Sequence, residues 1–151
     1  LSIGGCRGTR KEEKIKELAR KLKLSDCVNF FPYVKEEEKY KIFASHWVHI
    51  LPSMKEGFGI SIIEAAANGT PTVGYEVSGV KSSVRNGKTG LLVPYRKVDL
   101  LAKAVLKILT DEDFRKKLER NCREFSKNFS WEKCSKKFVE IIKNIVAGEY
   151  A

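Results

Sequence analysis

The stretch Leu51 to Gly69, LPSMKEGFGISIIEAAANG, places two carboxylates, Glu56 and Glu64, on either side of a Gly-Phe-Gly turn. Carboxylates accept hydrogen bonds from hydroxyls, and glycines let a ligand approach the main chain closely. Gly59 opens a helical run. The first N–H groups of such a helix have no partner within it, and they carry the positive end of its dipole. That arrangement suits a phosphate. Glu56 sits just before the helix start, and Glu64 lies about one and a half turns into it. The two acids can therefore hold two different parts of one ligand, with phosphate-binding amides between them. A ligand with hydroxyls at both ends and phosphate in the middle has the chemistry of a nucleotide sugar. The plainer alternative is a helix-start acid plus a solvated helix position. A glycosidase carboxylate pair is a third reading, but a glycosidase has no need of the glycine-opened helix between its acids.

The elements that must position these residues alternate along the chain. LSIGG reads as a strand ending in a tight turn, and Lys11 to Leu24 carries Ile15, Leu18, Ala19 and Leu22 at helical spacing. CVNFF is a strand, KEEEKYKIFASH a helix and WVHIL a strand stopped by Pro52. The helix from Gly59 to Asn68 ends at Gly69, where a left-handed C-terminal residue is expected. PTVGY and LLVPY are strands separated by the turn chemistry of RNGKTG. Helices are expected from Asp99 to Leu109 and from Asp111. A last helix is capped by Ser130, with Trp131, Phe138, Ile142 and Ile145 as its buried stripe. Short apolar strands alternating with helices specify βαβ units. The fold class is α/β, a Rossmann-like doubly wound parallel sheet with helices on both faces. Ligands of such folds bind beyond the carboxyl ends of the strands, where PYV, PSMKEGFG and the Ser78-Gly79 turn all fall.

The whole chain bounds this reading. Its 151 residues suit a single domain, and 42% hydrophobic against 32% charged residues excludes a disordered chain. No apolar run is long enough to span a membrane. Leu1 opens directly into a strand, with no signal peptide, so the chain is expected to be a fragment of a longer protein. The net charge of +10 favours anionic partners. Lysines and glutamates nevertheless interleave as in KEEKIKELARKLK, the pattern of a solvated surface. A nucleic-acid binder needs its bases gathered on one face, which this pattern does not provide. Cys6, Cys27, Cys122 and Cys134 are scattered and form no C-x-x-C, so reduced, buried thiols in a cytosolic protein are expected rather than a zinc site. His46 and His49 read as satisfied core or edge residues, and Phe58 equally as core packing or as a sugar contact. The terminal KCSKKFVEIIKNIVAG could rest on a membrane surface as a basic amphipathic helix. Packing against its own domain is the expected alternative.

The E-x7-E spacing of Glu56 and Glu64, within PSMKEGFGISIIEAAANGTPTV, resembles the C-terminal, donor-binding half of retaining glycosyltransferases of the GT-B fold. This family includes glycogen, sucrose and mannosyl transferases. VNFFPYV, SGV, NGKTGLLVP, Asp99 and FSWEK follow in the family's order, so the resemblance covers nearly the whole chain. It implies that Glu56 hydrogen-bonds the donor sugar as the catalytic-site acid. The amides of Gly57, Phe58, Gly59 and Ile60 would hold sugar and diphosphate, and Glu64 the ribose. The backbone at Tyr33 and Val34 would meet the base. It implies a UDP-, GDP- or ADP-linked donor, no metal or other cofactor, and an N-terminal acceptor domain elsewhere in the protein. A cytoplasmic enzyme, open to peripheral membrane contact because many relatives use lipid-linked acceptors, is the implied setting. A nucleotide-binding module without catalysis is the alternative. The chain departs from the family pattern at Pro32, at His46-Trp47, at Ser78 and at Ser82. The Arg/Lys pair that clamps the diphosphate in the family falls upstream of LSIGG, so the isolated chain is expected to bind its donor weakly and not to turn over.

Overall fold

The computed structural model describes residues 1–4, 8–31 and 33–148. The turn at Gly5, Cys6 and the family departure at Pro32 lie outside the described residues. The chain forms two compact units, residues 1–41 and residues 42–151.

In the first unit, β1 (Ser2–Gly4) and β2 (Asn29–Phe31) pair in parallel, with Ile3 opposite Phe30. The connecting helix α1 (Arg10–Lys21) starts where the Thr9 side chain accepts from the Glu12 amide. The Glu12 carboxylate in turn accepts from the Gly8 amide, a reciprocal cap. Of the four apolar positions expected to face inward, Ala19 is buried, whereas Leu18 and Leu22 are exposed. A short turn of 3₁₀ helix, Ser25–Cys27, takes up the start of the expected CVNFF strand. Helix α2 (Glu36–Ala44) follows.

The second unit is built on the parallel sheet β3-β4-β5, comprising His49–Leu51, Thr72–Tyr75 and Gly90–Val93. Ile50 lies opposite Val73, and Val73 opposite Leu91. Helix α3 (Ile60–Ala67) joins β3 to β4. A six-residue helix, α4 (Ser78–Ser83), lies between β4 and β5, where a turn was expected. One sheet face packs Val73, Tyr75 and Val93 against Ala104 and Ile108 of α5 (Val98–Thr110) and Leu118 of α6 (Glu112–Ser126). The opposite face packs Leu51 and Leu92 against Ile62 of α3 and Val80 of α4, with Val84 just beyond α4. The sheet is thus roofed on both sides, as its apolar strands require.

Several departures have physical causes. Trp47 lies outside β3, and the ring supports the Arg115 guanidinium at 4.2 Å. Arg115 is buried; it donates to the carbonyls of Ile108 and Leu109 at the end of α5 and pairs with Glu119 at 3.5 Å. Cys122 is buried, with its thiol donating to the Thr89 carbonyl at 3.2 Å and pushed up to about 12 by burial. Cys27 and Cys134 are exposed, which corrects the expectation of uniformly buried thiols. Helix α7 (Trp131–Val146) is capped as expected, Ser130 accepting from the Lys133 amide at 3.1 Å. Its stripe is not buried, however. Trp131 is 80% exposed and Phe138 63%, and Ile142 and Ile145 are exposed too. Helical periodicity specified an apolar face without specifying a neighbour to cover it.

His49 and Thr72 meet across β3 and β4, Nδ1 to Oγ1 at 3.0 Å, and the Phe43 ring stands edge-on to the imidazole at 5.5 Å. Burial lowers the His49 pKa from 6.5 to about 4. The unfolded chain therefore takes up a proton near pH 6.5, whereas the folded chain does so only near 4. This contribution to stability is fully present above pH 6.5 and is lost as pH falls toward 4. Urea unfolding of the chain should show a midpoint that declines across this interval, and His49→Val should remove that part of the decline.

Candidate functional site

Strands β3 and β4 end side by side, so the segments that follow them share one edge of the sheet. After Leu51 the chain runs through Pro52–Gly59 into α3. Gly59 is the N-cap of that helix, with φ +82° and ψ +63°, a left-handed conformation that glycine adopts without penalty. A side chain there would also strike Ile62, its Cβ falling 2.6 Å from Cδ1. The Gly59 carbonyl accepts from the Ile62 amide at 2.9 Å. Gly69, at φ +80°, ends the helix where the sequence places its stop. The helix bounds read from the sequence thus hold to within the caps, Gly59 and Asn68.

Glu56 and Glu64 are both half-buried. A Cβ on Gly59 would lie 3.5 Å from Glu56 Cγ, so the stem of Glu56 runs beside the helix start. Glu64 sits in the third quarter of α3, and its carbonyl accepts from the Asn68 side chain at 2.9 Å. Between the two acids, no amide of Gly57, Phe58, Gly59 or Ile60 donates to a main-chain acceptor among the described residues. Phe58 takes the packing role in part. It is 38% exposed, and its ring packs against Phe129 at 5.7 Å, which in turn meets Phe125 at 5.0 Å.

Gly57 is a different kind of glycine. Its φ is not positive, and a Cβ added to it would meet nothing within 4 Å. Neither backbone conformation nor packing asks for glycine at this position. Tyr33 and Val34 follow β2 in the first unit, where Tyr33 is exposed and Val34 half-buried.

The segment after β4 braces the loop. Gly79 lies so close to the loop that a Cβ would come within 2.1 Å of the Glu56 carbonyl oxygen. One turn on, the buried Ser83 hydroxyl donates to the Phe58 carbonyl. Glu76 and Lys81 pair across the same segment at 3.1 Å. Sequence reading places Ser78 and Gly79 at this edge but misses Ser83. Its only sequence signal is the pair of i, i+4 repeats Gly79/Ser83 and Val80/Val84, too short to mark a helix. His46 takes no part in this edge; its Nδ1 meets the Ile42 carbonyl at 2.6 Å. Among the described residues, no group of three His, Cys, Asp or Glu is placed to hold a metal ion.

A family model described as Glycosyl transferases group 1 matches residues 1–125. The D-inositol 3-phosphate glycosyltransferase of Corynebacterium urealyticum is 33% identical over 147 residues, covering 96% of this chain and 35% of its own length. The protein of that name from Kribbella flavida is 36% identical over 132 residues, with 86% and 31% covered. Sucrose-phosphate synthase of Thermosynechococcus elongatus matches in structure with a TM-score of 0.90 at 29% identity, over 98% of this chain and 39% of that one. Anabaena HepE, solved in complex with UDP-glucose, matches with a TM-score of 0.84 at 19% identity, over 95% and 40% of the two chains, a likeness of fold alone. The chain spans about a third of the length of the curated relatives it matches.

Replacing Gly79 by alanine tests the bracing directly. The added methyl must displace either the loop or α4, a form of overpacking that costs about 1–3 kcal/mol. Gly79→Ala should lower the thermal midpoint by several degrees and perturb the amide resonances of residues 56–59 in an NMR spectrum, whereas a brace of no consequence would leave those resonances in place.

Proposed function

The chain belongs to the group 1 glycosyl transferases, and from that premise we propose that it is the donor-binding domain of a retaining glycosyltransferase. The enzyme would move a sugar from a nucleotide-diphosphate sugar to an acceptor held by an N-terminal domain of the same protein. Glu56 hydrogen-bonds hydroxyls of the donor sugar, and Glu64 those of the ribose. The amides of Gly57, Phe58, Gly59 and Ile60 receive the diphosphate. Backbone at Tyr33 and Val34 meets the base. As the glycosidic bond breaks, negative charge gathers on the diphosphate. Preorganised amides and the start of α3 stabilise that charge without reorganising, and no metal is required of the protein for this role.

The observation that carries the reading is Gly57. A glycine that the fold does not need, flanked by amides without main-chain acceptors and by two half-buried acids, fits a main chain that a ligand must approach closely. The +10 charge of the chain favours the anionic donor at longer range.

Titration with UDP-, GDP- and ADP-linked sugars by calorimetry or NMR tests the proposal. One class of nucleotide sugar should bind. Glu64→Ala, which removes a carboxylate acceptor, should weaken it about tenfold or more. Gly57→Ala should leave the thermal midpoint close to that of the parent while weakening the same ligand. If the parent protein, assayed at its full natural length, binds no nucleotide sugar, the donor-binding role is wrong. Equal binding by Gly57→Ala would remove the close approach.

A further inference from the structure

We propose that Ser83 is a positioning residue for the donor loop, one that sets which way the Phe58–Gly59 peptide faces; the inference rests on the donor-binding reading above. Ser83 is 1% exposed on α4, and its hydroxyl donates to the Phe58 carbonyl. A second, weaker acceptor for the same hydroxyl is the Gly79 carbonyl within α4, at 3.4 Å. Apart from Ser83, no donor reaches the Phe58 carbonyl among the described residues.

The geometry of the peptide bond makes this contact more than a fastening. A trans peptide is planar, and its C=O and N–H point in opposite directions. Every described peptide here is trans. The Phe58 carbonyl and the Gly59 amide belong to one such plane. When Ser83 holds the carbonyl toward α4, the Gly59 N–H is turned to the other side, away from α4. Gly59 itself offers little resistance to a flip, because glycine populates both signs of φ. Without Ser83, a part-buried carbonyl loses its donor, and rotation of this plane can relieve it.

The preceding turn of α4 acts on the plane two peptides earlier by sterics alone. The atom nearest to a Cβ on Gly79 is the Glu56 carbonyl oxygen, which therefore points at α4. The Gly57 N–H shares that plane and points away. One short helix thus presents two carbonyl-facing positions, Gly79 and Ser83, a turn apart. They orient two of the amides that the donor diphosphate would meet. Nothing in this scheme requires Ser83 to touch the donor.

The control is Thr70, whose buried hydroxyl donates to the Phe43 carbonyl at 2.7 Å and precedes β4, at the opposite edge of the sheet. Thr70→Val removes a comparable buried hydrogen bond far from the loop. The parent protein at its full natural length and its Ser83→Ala and Thr70→Val variants would each be titrated with UDP-glucose, GDP-mannose and ADP-glucose, following the Gly59 amide in ¹⁵N-resolved NMR. Ser83→Ala should weaken the nucleotide sugar that binds about five- to tenfold and shift or broaden the Gly59 resonance before any ligand is added. Thr70→Val should lose comparable thermal stability and change neither. Parent-like affinity with an unmoved Gly59 resonance in Ser83→Ala would overturn the inference, as would equal weakening in Thr70→Val. If the parent binds none of the three, the donor reading falls and takes the proposed role with it. That failure shows in the parent, whereas a failure of Ser83 alone shows only in the variant.

Discussion

Strand β4 has no side left for water: Thr72, Val73, Gly74 and Tyr75 are all buried. A parallel strand in that position needs neighbours on both edges and helices on both faces, and it can be reached only by crossovers. Those crossovers bring the chain back to the same end of the sheet each time, so the segments after β3 and β4 leave from one edge. Gly74 adds a finer constraint. A Cβ there would come within 3.2 Å of Val80 Cγ1, so the small residue lets α4 settle close to the sheet. That closeness brings Gly79 and Ser83 within reach of the loop after β3. The shape of the candidate site is therefore set partly by a glycine in the middle of a buried strand.

Much of this was legible in the sequence, and the reasons differ by element. Helix α3 was readable because its start and stop are both glycines doing conformational work, Gly59 and Gly69 at positive φ. The alternation of strands and helices followed from periodicity, and with it the edge where ligands would bind. Strand lengths were less readable. WVHIL shortens to His49–Leu51 because Trp47 has other business, lying under Arg115. A single sequence shows that a residue is aromatic, not that a buried guanidinium from far along the chain will claim it. The same limit explains α7. Its spacing correctly specified a helix with one apolar face, but burial is a property of two surfaces, and only one of them is written in the helix.

The role of α4 was hidden for a further reason. SGVKSS is short and polar and reads as a turn, and none of its residues carries chemistry of its own. What it contributes is a hydroxyl aimed at a main-chain carbonyl and a gap where a side chain would be. Neither has a composition or spacing signature, because the partner in each case is backbone, which is the same whatever the residue. Interactions of this kind escape motif reading even when they stand next to the motif.

The contact between α4 and the loop after β3 has a consequence for how such domains can be recombined. PSMKEGFG and SGVKSS are separated by the whole of α3 and β4, yet the second is fitted to the main chain of the first. They form one structural part cut into two pieces. A chimaera that imports the first segment from a relative would set a foreign loop against the native Gly79 and Ser83. Grafts that carry both segments together, with Gly74 beneath them, preserve the fit. For this scaffold the natural unit of exchange is the pair of segments.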